Sequence, residues 1–192
     1  MSKTLVLGDI HGHDCWKGIL AAEGDCDKVV VLGDYFDSFT VQSSIQEDNF
    51  KDLLEEQAKR GKDKFVLLMG NHDFHYFIDD YSEQYSGYSY ATRGLAQPLL
   101  RKASEDGSLT LIHRDGGILF SHAGISNYWL NNISSKQDLD KITFGSADFD
   151  VATLKFNIAM GYDMYGNSVS QGFLWIRPQA LFDDMIPGYA QV

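Results

Sequence analysis

The chain has 192 residues, 44% of them apolar, which is enough for one domain with a sizeable core. Its formal net charge of -11 at pH 7 opposes a nucleic-acid-binding surface, and no run is long and apolar enough to cross a bilayer. Two cysteines, Cys15 and Cys26, are too few for a disulfide framework and form no paired motif, so both read as reduced thiols without a metal role.

The first apolar run, Thr4–Leu7, stops at Gly8-Asp9, too soon for a signal peptide. It reads as a first β-strand of a cytoplasmic protein. Asp14–Glu23 follows, with Trp16, Ile19 and Leu20 at helical spacing. Lys28–Leu32 is a second strand, again ending in Gly-Asp, and Ser43–Arg60 is a second helix. Lys64–Met69 is a third strand, ending in Gly70-Asn71-His72-Asp73. These strands are short and apolar on both faces, as in a covered sheet, and the alternation predicts a βαβαβ unit. Tyr76 to Arg93 reads as a helix start followed by a long loop, and Leu95–Ser104 as a helix. Leu109–His113 and Ile118–Ser121 predict a hairpin across Arg114-Asp115-Gly116-Gly117. Asn127 to Asn157 reads as mostly helical, and Gly172 to Arg177 as a short apolar segment stopped by Pro178. No repeat or linker divides the chain, so residues 1–192 are expected to form one α/β domain.

Three strands therefore end in polar clusters: Asp9 with His11, Asp34 with Asp37, and Asn71 with His72 and Asp73. Ligands of open α/β sheets bind beyond the carboxyl ends of the strands, so the clusters point at one rim. A fourth polar end is Ser121-His122-Ala123-Gly124. Two Asp, an Asn and two His form a thiolate-free set suited to manganese, iron, zinc or a similar divalent ion. Two such ions bridged by a carboxylate can activate water and neutralise phosphate oxygens. Any single Gly-Asp turn is commonplace; the three polar clusters in order, each behind a buried strand, are not. His13, His75 and His113 read as structural or surface residues.

Gly8-Asp-Ile-His-Gly12, Gly33-Asp-Tyr-Phe-Asp37, Gly70-Asn-His-Asp73 and Ser121-His-Ala-Gly124 resemble the signature blocks of the calcineurin-like metallophosphoesterases. The likeness is to the serine/threonine phosphatase branch of bacteria and phage and to the symmetrical dinucleoside-tetraphosphate hydrolases. It runs from about Lys3 to Ile125, and more weakly through Leu174-Trp-Ile-Arg-Pro178. The resemblance implies two packed mixed β-sheets flanked by α-helices. It implies two divalent metal ions, manganese first, with iron, zinc or nickel as alternatives. Asp9 and His11 would bind one metal, Asp34 would bridge, and Asn71 and His122 would bind the other. His72 would protonate the leaving oxygen, oriented by Asp37. Asn71, His72 and Arg177 would contact the substrate phosphate. The expected activity is hydrolysis of a phosphorylated small molecule or a phosphoprotein by metal-activated water, with no nucleic-acid or membrane partner.

Three departures qualify this. Asp37 is followed by Ser38-Phe39, where the family usually has Arg-Gly, so one phosphate clamp is missing; Arg177 is the first substitute and Arg93 the second. Asp73 stands where many relatives have Glu, with little chemical consequence expected. No histidine follows His122, although the family places a further metal ligand on a later strand. The ending Pro187-Gly-Tyr-Ala-Gln-Val192 resembles the start of that strand, so the chain is expected to be a fragment lacking its last strands. The alternatives are a dinucleoside polyphosphate hydrolase and a catalytically impaired binding domain.

Overall fold

The structure is a computed structural model and describes residues 2–84, 86–133, 138–155, 163 and 165–192. The chain divides into two compact units, residues 1–110 and 111–192.

The first unit is built on a four-stranded parallel sheet in the order β1 (Thr4–Leu7), β2 (Lys28–Val31), β3 (Phe65–Leu68), β4 (Leu109–Thr110). The two central strands are apolar because both of their faces are covered: Val29, Val30, Val31, Phe65, Leu67 and Leu68 have no exposed surface. At the edge, β1 buries only Leu7 fully, so the expectation of burial on both faces fails there. Each step along the sheet is a crossover in one direction, through α1 (Cys15–Ala22), then α2 (Ser43–Arg60), then α3 (Asn71–Phe77) and α4 (Tyr90–Glu105). Crossovers of one hand and one direction lay their helices side by side. In agreement, the Trp16 indole N–H of α1 donates to Asn49 Oδ1 of α2 at 2.9 Å, and Ser43 of α2 meets Thr92 of α4 at 2.8 Å.

The longest helix, α2, shows how the sequence positions these layers. Gln46, Asn49, Phe50, Leu53 and Gln57 recur at helical spacing and are all buried. The polar members of that stripe tie strands and loops together. Gln57 donates through Nε2 to the carbonyls of Phe65 and Ser108, at 2.9 and 2.8 Å, fixing the starts of β3 and β4. Gly61, at φ 92° and ψ 145°, ends the helix in a backbone conformation that glycine adopts readily.

The second unit carries a mixed sheet. β5 (His113–Asp115) and β6 (Ile118–Phe120) pair antiparallel, and β7 (Ala190–Gln191) adds parallel to β6. The Gly116-Gly117 turn is where the sequence put it. The strand leading into it is shorter than expected, because Leu109–Thr110 joins the first sheet and only His113–Asp115 joins the hairpin. Among the described residues, the region expected to be mostly helical over 127–157 shows only short single-turn pieces: Trp129–Ile133, Leu139–Lys141 and Val151–Leu154. Residues 134–137 and 156–157 of that stretch lie outside the described residues. Trp129 is fully buried against Phe173, ring centroids 5.3 Å apart, and anchors this core. The apolar segment after Gly172 forms a turn, and Pro178 opens α5 (Pro178–Asp183), where a missing N–H costs nothing. No described helix is long and apolar enough to cross a membrane.

Truncating Leu67, at the centre of β3, should lower unfolding stability by about 2–5 kcal/mol in a denaturant titration of Leu67→Ala. A loss below 1 kcal/mol would contradict the central placement of this strand.

Candidate metal and proton-transfer site

Three loops leave the carboxyl ends of β1, β2 and β3 and bind one another before any ligand is considered. The N–H groups of Ile10 and His11 donate to the Asp34 carbonyl at 3.1 and 2.6 Å, and Gly12 donates to Tyr35 at 2.9 Å. Asp73 then joins the second loop to the third. Its carboxylate accepts the backbone N–H of Asp34 at 2.8 Å, of Tyr35 at 2.8 Å and of Gly70 at 3.0 Å. Asp73 is fully buried. Burial and the neighbouring Asp34 push its carboxyl well above the usual range, while the three N–H donors work the other way. From sequence, this position reads only as an exchange from glutamate; in the structure its carboxylate ties the second loop to the third. The signal available in the sequence was its place three residues after Gly70, the spacing at which an acidic side chain reaches back to the N–H that opens a helix.

The approach of these loops also explains two glycines. A Cβ on Gly33, at φ 110°, would run into the Gly70 backbone, and a Cβ on Gly70 would run into Asp34. Only glycine lets the two strand ends come this close.

Among the described residues, His11, Asp34 and Asp37 are the non-glycine positions with positive φ, at 43°, 55° and 67°. Strained backbone of this kind persists where the surroundings over-determine it, and functional sites are where it gathers. Here all three are residues expected in the site.

Asp9, His11 and Asp34 each offer a ligand atom, and those atoms lie within 4.8 Å of one another. His11 is set up as a ligand: Nδ1 is 2.7 Å from the Phe36 carbonyl and donates to it, which leaves Nε2 facing Asp34 Oδ2 at 3.8 Å. A carboxylate pair plus one free imidazole nitrogen suits a divalent cation such as manganese, iron or zinc, so these residues fit the expected metal. Asp34 also accepts the His72 N–H on Oδ1 at 2.8 Å, tying the would-be bridging carboxylate to the start of α3. Asn71, buried, sits beside it as the first residue of that helix.

A second Asp/His group, Asp37, His72 and His75, is also compact enough to hold a metal. Its contacts suit proton transfer better. His72 Nδ1 is 2.8 Å from Asp37 Oδ2, and His75 Nε2 is 2.7 Å from the same oxygen. The Tyr76 hydroxyl donates to Oδ1. Burial pushes the Asp37 carboxyl up, but hydrogen bonds from His72, His75 and Tyr76 outweigh it and hold it below the usual range. Burial likewise opposes the His72 imidazolium, yet the bond to Asp37 and the charges of Asp34, Asp37 and Asp73 raise its pKa above the ordinary value. His75 reads from sequence as a structural or surface residue; the structure buries it completely in this group. Its spacing, with Tyr76, at three and four residues after His72 placed all three on one helix face and was the signal for it.

Arg93 is committed elsewhere: it pairs with Asp79 at 2.7 Å and lies 5.0 Å over the Tyr81 ring. His13 is exposed. His122 and Arg177 belong to the second unit. His122 follows β6, directly after the buried Ser121. Arg177 is exposed, with Nε donating to the Tyr165 carbonyl at 3.3 Å.

Replacing Asp73 by Asn would turn an amide N–H toward backbone donors that need an acceptor. Thermal or denaturant unfolding should show a loss of about 3 kcal/mol or more for Asp73→Asn. Parent-like stability would mean that the clamp does not hold the loops.

The family described as calcineurin-like phosphoesterase matches residues 2–175. No curated protein matches the chain. One solved structure similar to it is a metallophosphoesterase from Sphaerobacter thermophilus, at 18% identity and a TM-score of 0.44, covering 67% of this chain and 52% of that one. The chain thus spans about half the length of that relative. With the family's pattern matched over most of its length, the chain belongs to the calcineurin-like phosphoesterases, a family of phosphoester hydrolases.

Proposed function

We propose that the chain hydrolyses phosphate monoesters, carried by a small molecule or a phosphoprotein, at a dinuclear metal centre that prefers manganese. The observation behind this reading is the juxtaposition in one unit of a metal-ligand set, Asp9, His11 and Asp34, with a His72–Asp37 couple suited to proton delivery. Asn71 and His122 would complete the ligands of the second ion. Bound divalent cations would neutralise phosphate oxygens and make water more acidic, in an otherwise acidic protein.

The chain's own residues would do the rest. Asn71, His72 and Arg177 orient the phosphate. A water attacks phosphorus opposite the leaving oxygen. As the P–O bond breaks, His72 Nε2 gives its proton to that oxygen, while Nδ1–H stays on Asp37. The 2.8 Å contact with Asp37 holds the ring that this step requires. The departing alcohol has room in a hollow of about 350 Å³ lined by His11, His13, Ser38, Phe39, Thr40 and His72. A merely binding domain would have no use for the His72–Asp37 couple.

With Mn²⁺ the chain should hydrolyse p-nitrophenyl phosphate, and Asp34→Asn should lower the rate by on the order of 10³-fold. Chelation should abolish the activity and Mn²⁺ restore it. Hydrolysis that survives both the chelator and the substitution would contradict the metal-centred reading. A panel containing a dinucleoside tetraphosphate would expose a preference for the anhydride over the ester.

A further inference from the structure

Asp37 is held far more tightly than a partner of one histidine needs to be. Its side chain has no exposed surface. His72, His75 and Tyr76 reach it from a single helix face, two toward Oδ2 and one toward Oδ1. The Tyr76 oxygen is itself fixed, accepting the Ser89 N–H at 3.1 Å. Over the carboxylate lies the Gly87 backbone, so close that a Cβ there would come within 3.0 Å of Asp37 Cβ. Tyr88 stacks on Tyr76, centroids 5.1 Å apart, and closes that side.

From this geometry we infer that Tyr76, assisted by His75, is a positioning residue for the proton donor: it locks the Asp37 carboxylate so that His72 keeps Nδ1–H toward Asp37 and presents Nε2 to the substrate. An aspartate with one partner can turn about its Cβ–Cγ bond and let the imidazole swing or change tautomer. Here Tyr76 occupies the second oxygen and removes that freedom. Burial and the Asp37 charge push the phenol's ionisation upward, so Tyr76 remains a donor. The same contact runs along one chain of bonds, from the Ser89 N–H through the Tyr76 hydroxyl and Asp37 to His72. The inference rests on the proposed phosphoesterase activity for its kinetic consequence, but not for its structural one.

Tyr76→Phe removes only the hydroxyl, and two substrates separate positioning from general damage. p-Nitrophenolate leaves with little need of a proton, whereas phenolate needs one. With Mn²⁺, kcat for phenyl phosphate should fall about tenfold or more and kcat for p-nitrophenyl phosphate by less than about threefold, with KM little changed. In an Asp37→Asn background the same substitution should cost nothing further, because Tyr76 acts through Asp37. Independently of activity, the ring-nitrogen NMR shifts of His72 should report one tautomer, protonated at Nδ1 when neutral, in the parent and a mixture in Tyr76→Phe. Equal losses on both substrates, additivity with Asp37→Asn, or unchanged nitrogen shifts would each overturn the inference. If the parent hydrolyses neither substrate, the phosphoesterase reading fails and the nitrogen shifts alone decide this one. His75→Gln, read in the same way, serves if loss of the hydroxyl prevents folding.

Discussion

Everything at this site depends on one buried carboxylate. Asp73 accepts N–H groups from two different strand ends, and in doing so fixes where Asp34 begins and where α3 starts. Parallel pairing of β2 and β3 brings the two ends to the same rim. Pairing alone would leave their loops free to part; the carboxylate and the Gly33–Gly70 approach do not. From that junction the rest follows by short bonds: Asp34 to the His72 N–H, and the Asp34 carbonyl to the loop bearing His11. The positive φ of His11, Asp34 and Asp37 is sustained by this network rather than by any local preference.

Four aspartates crowd into a small volume, and each is compensated differently. Asp73 has three backbone donors. Asp37 has two imidazoles and a phenol. Asp34 has the His72 N–H on one oxygen, while its other oxygen faces His11. Asp9 is exposed. The charges bound most fully by protein are thus those that hold the framework and the proton donor. Asp9 and Asp34 lie with His11 where their ligand atoms could meet one cation. A bound cation is an economical reading in a chain with a net charge of -11, whose surface would otherwise repel a phosphate.

Much of this was legible in the sequence. The three Gly-containing strand ends gave Asp9, His11, Asp34, Asp37, Asn71 and His72, because ligands at strand ends must follow short apolar runs and such runs are easy to see. Ser43–Arg60 was legible to the residue, since its apolar stripe is long and ends in Gly61. What escaped was second-layer chemistry. Asp73 looked like a neutral exchange for glutamate because its partners are backbone groups, which leave no trace in side-chain pattern. His75 and Tyr76 carried a helical spacing, but their target, Asp37, lies far away in sequence, and only the fold brings it to them. The split of Leu109–His113 between two sheets was invisible for another reason: an apolar run shows that a strand is buried, not which neighbour it pairs with. In the second unit, the described residues of 127–157 form single helical turns rather than the mostly helical stretch expected, because a mixed local period is a weak guide.

The central claim is that Asp9, His11 and Asp34 together form a cation site, and anomalous diffraction from Mn²⁺-soaked crystals tests it most directly. The account predicts an anomalous peak within coordinating distance of Asp9, His11 and Asp34. A peak at Asp37, His72 and His75 instead, or none in crystals of the folded chain, would contradict it.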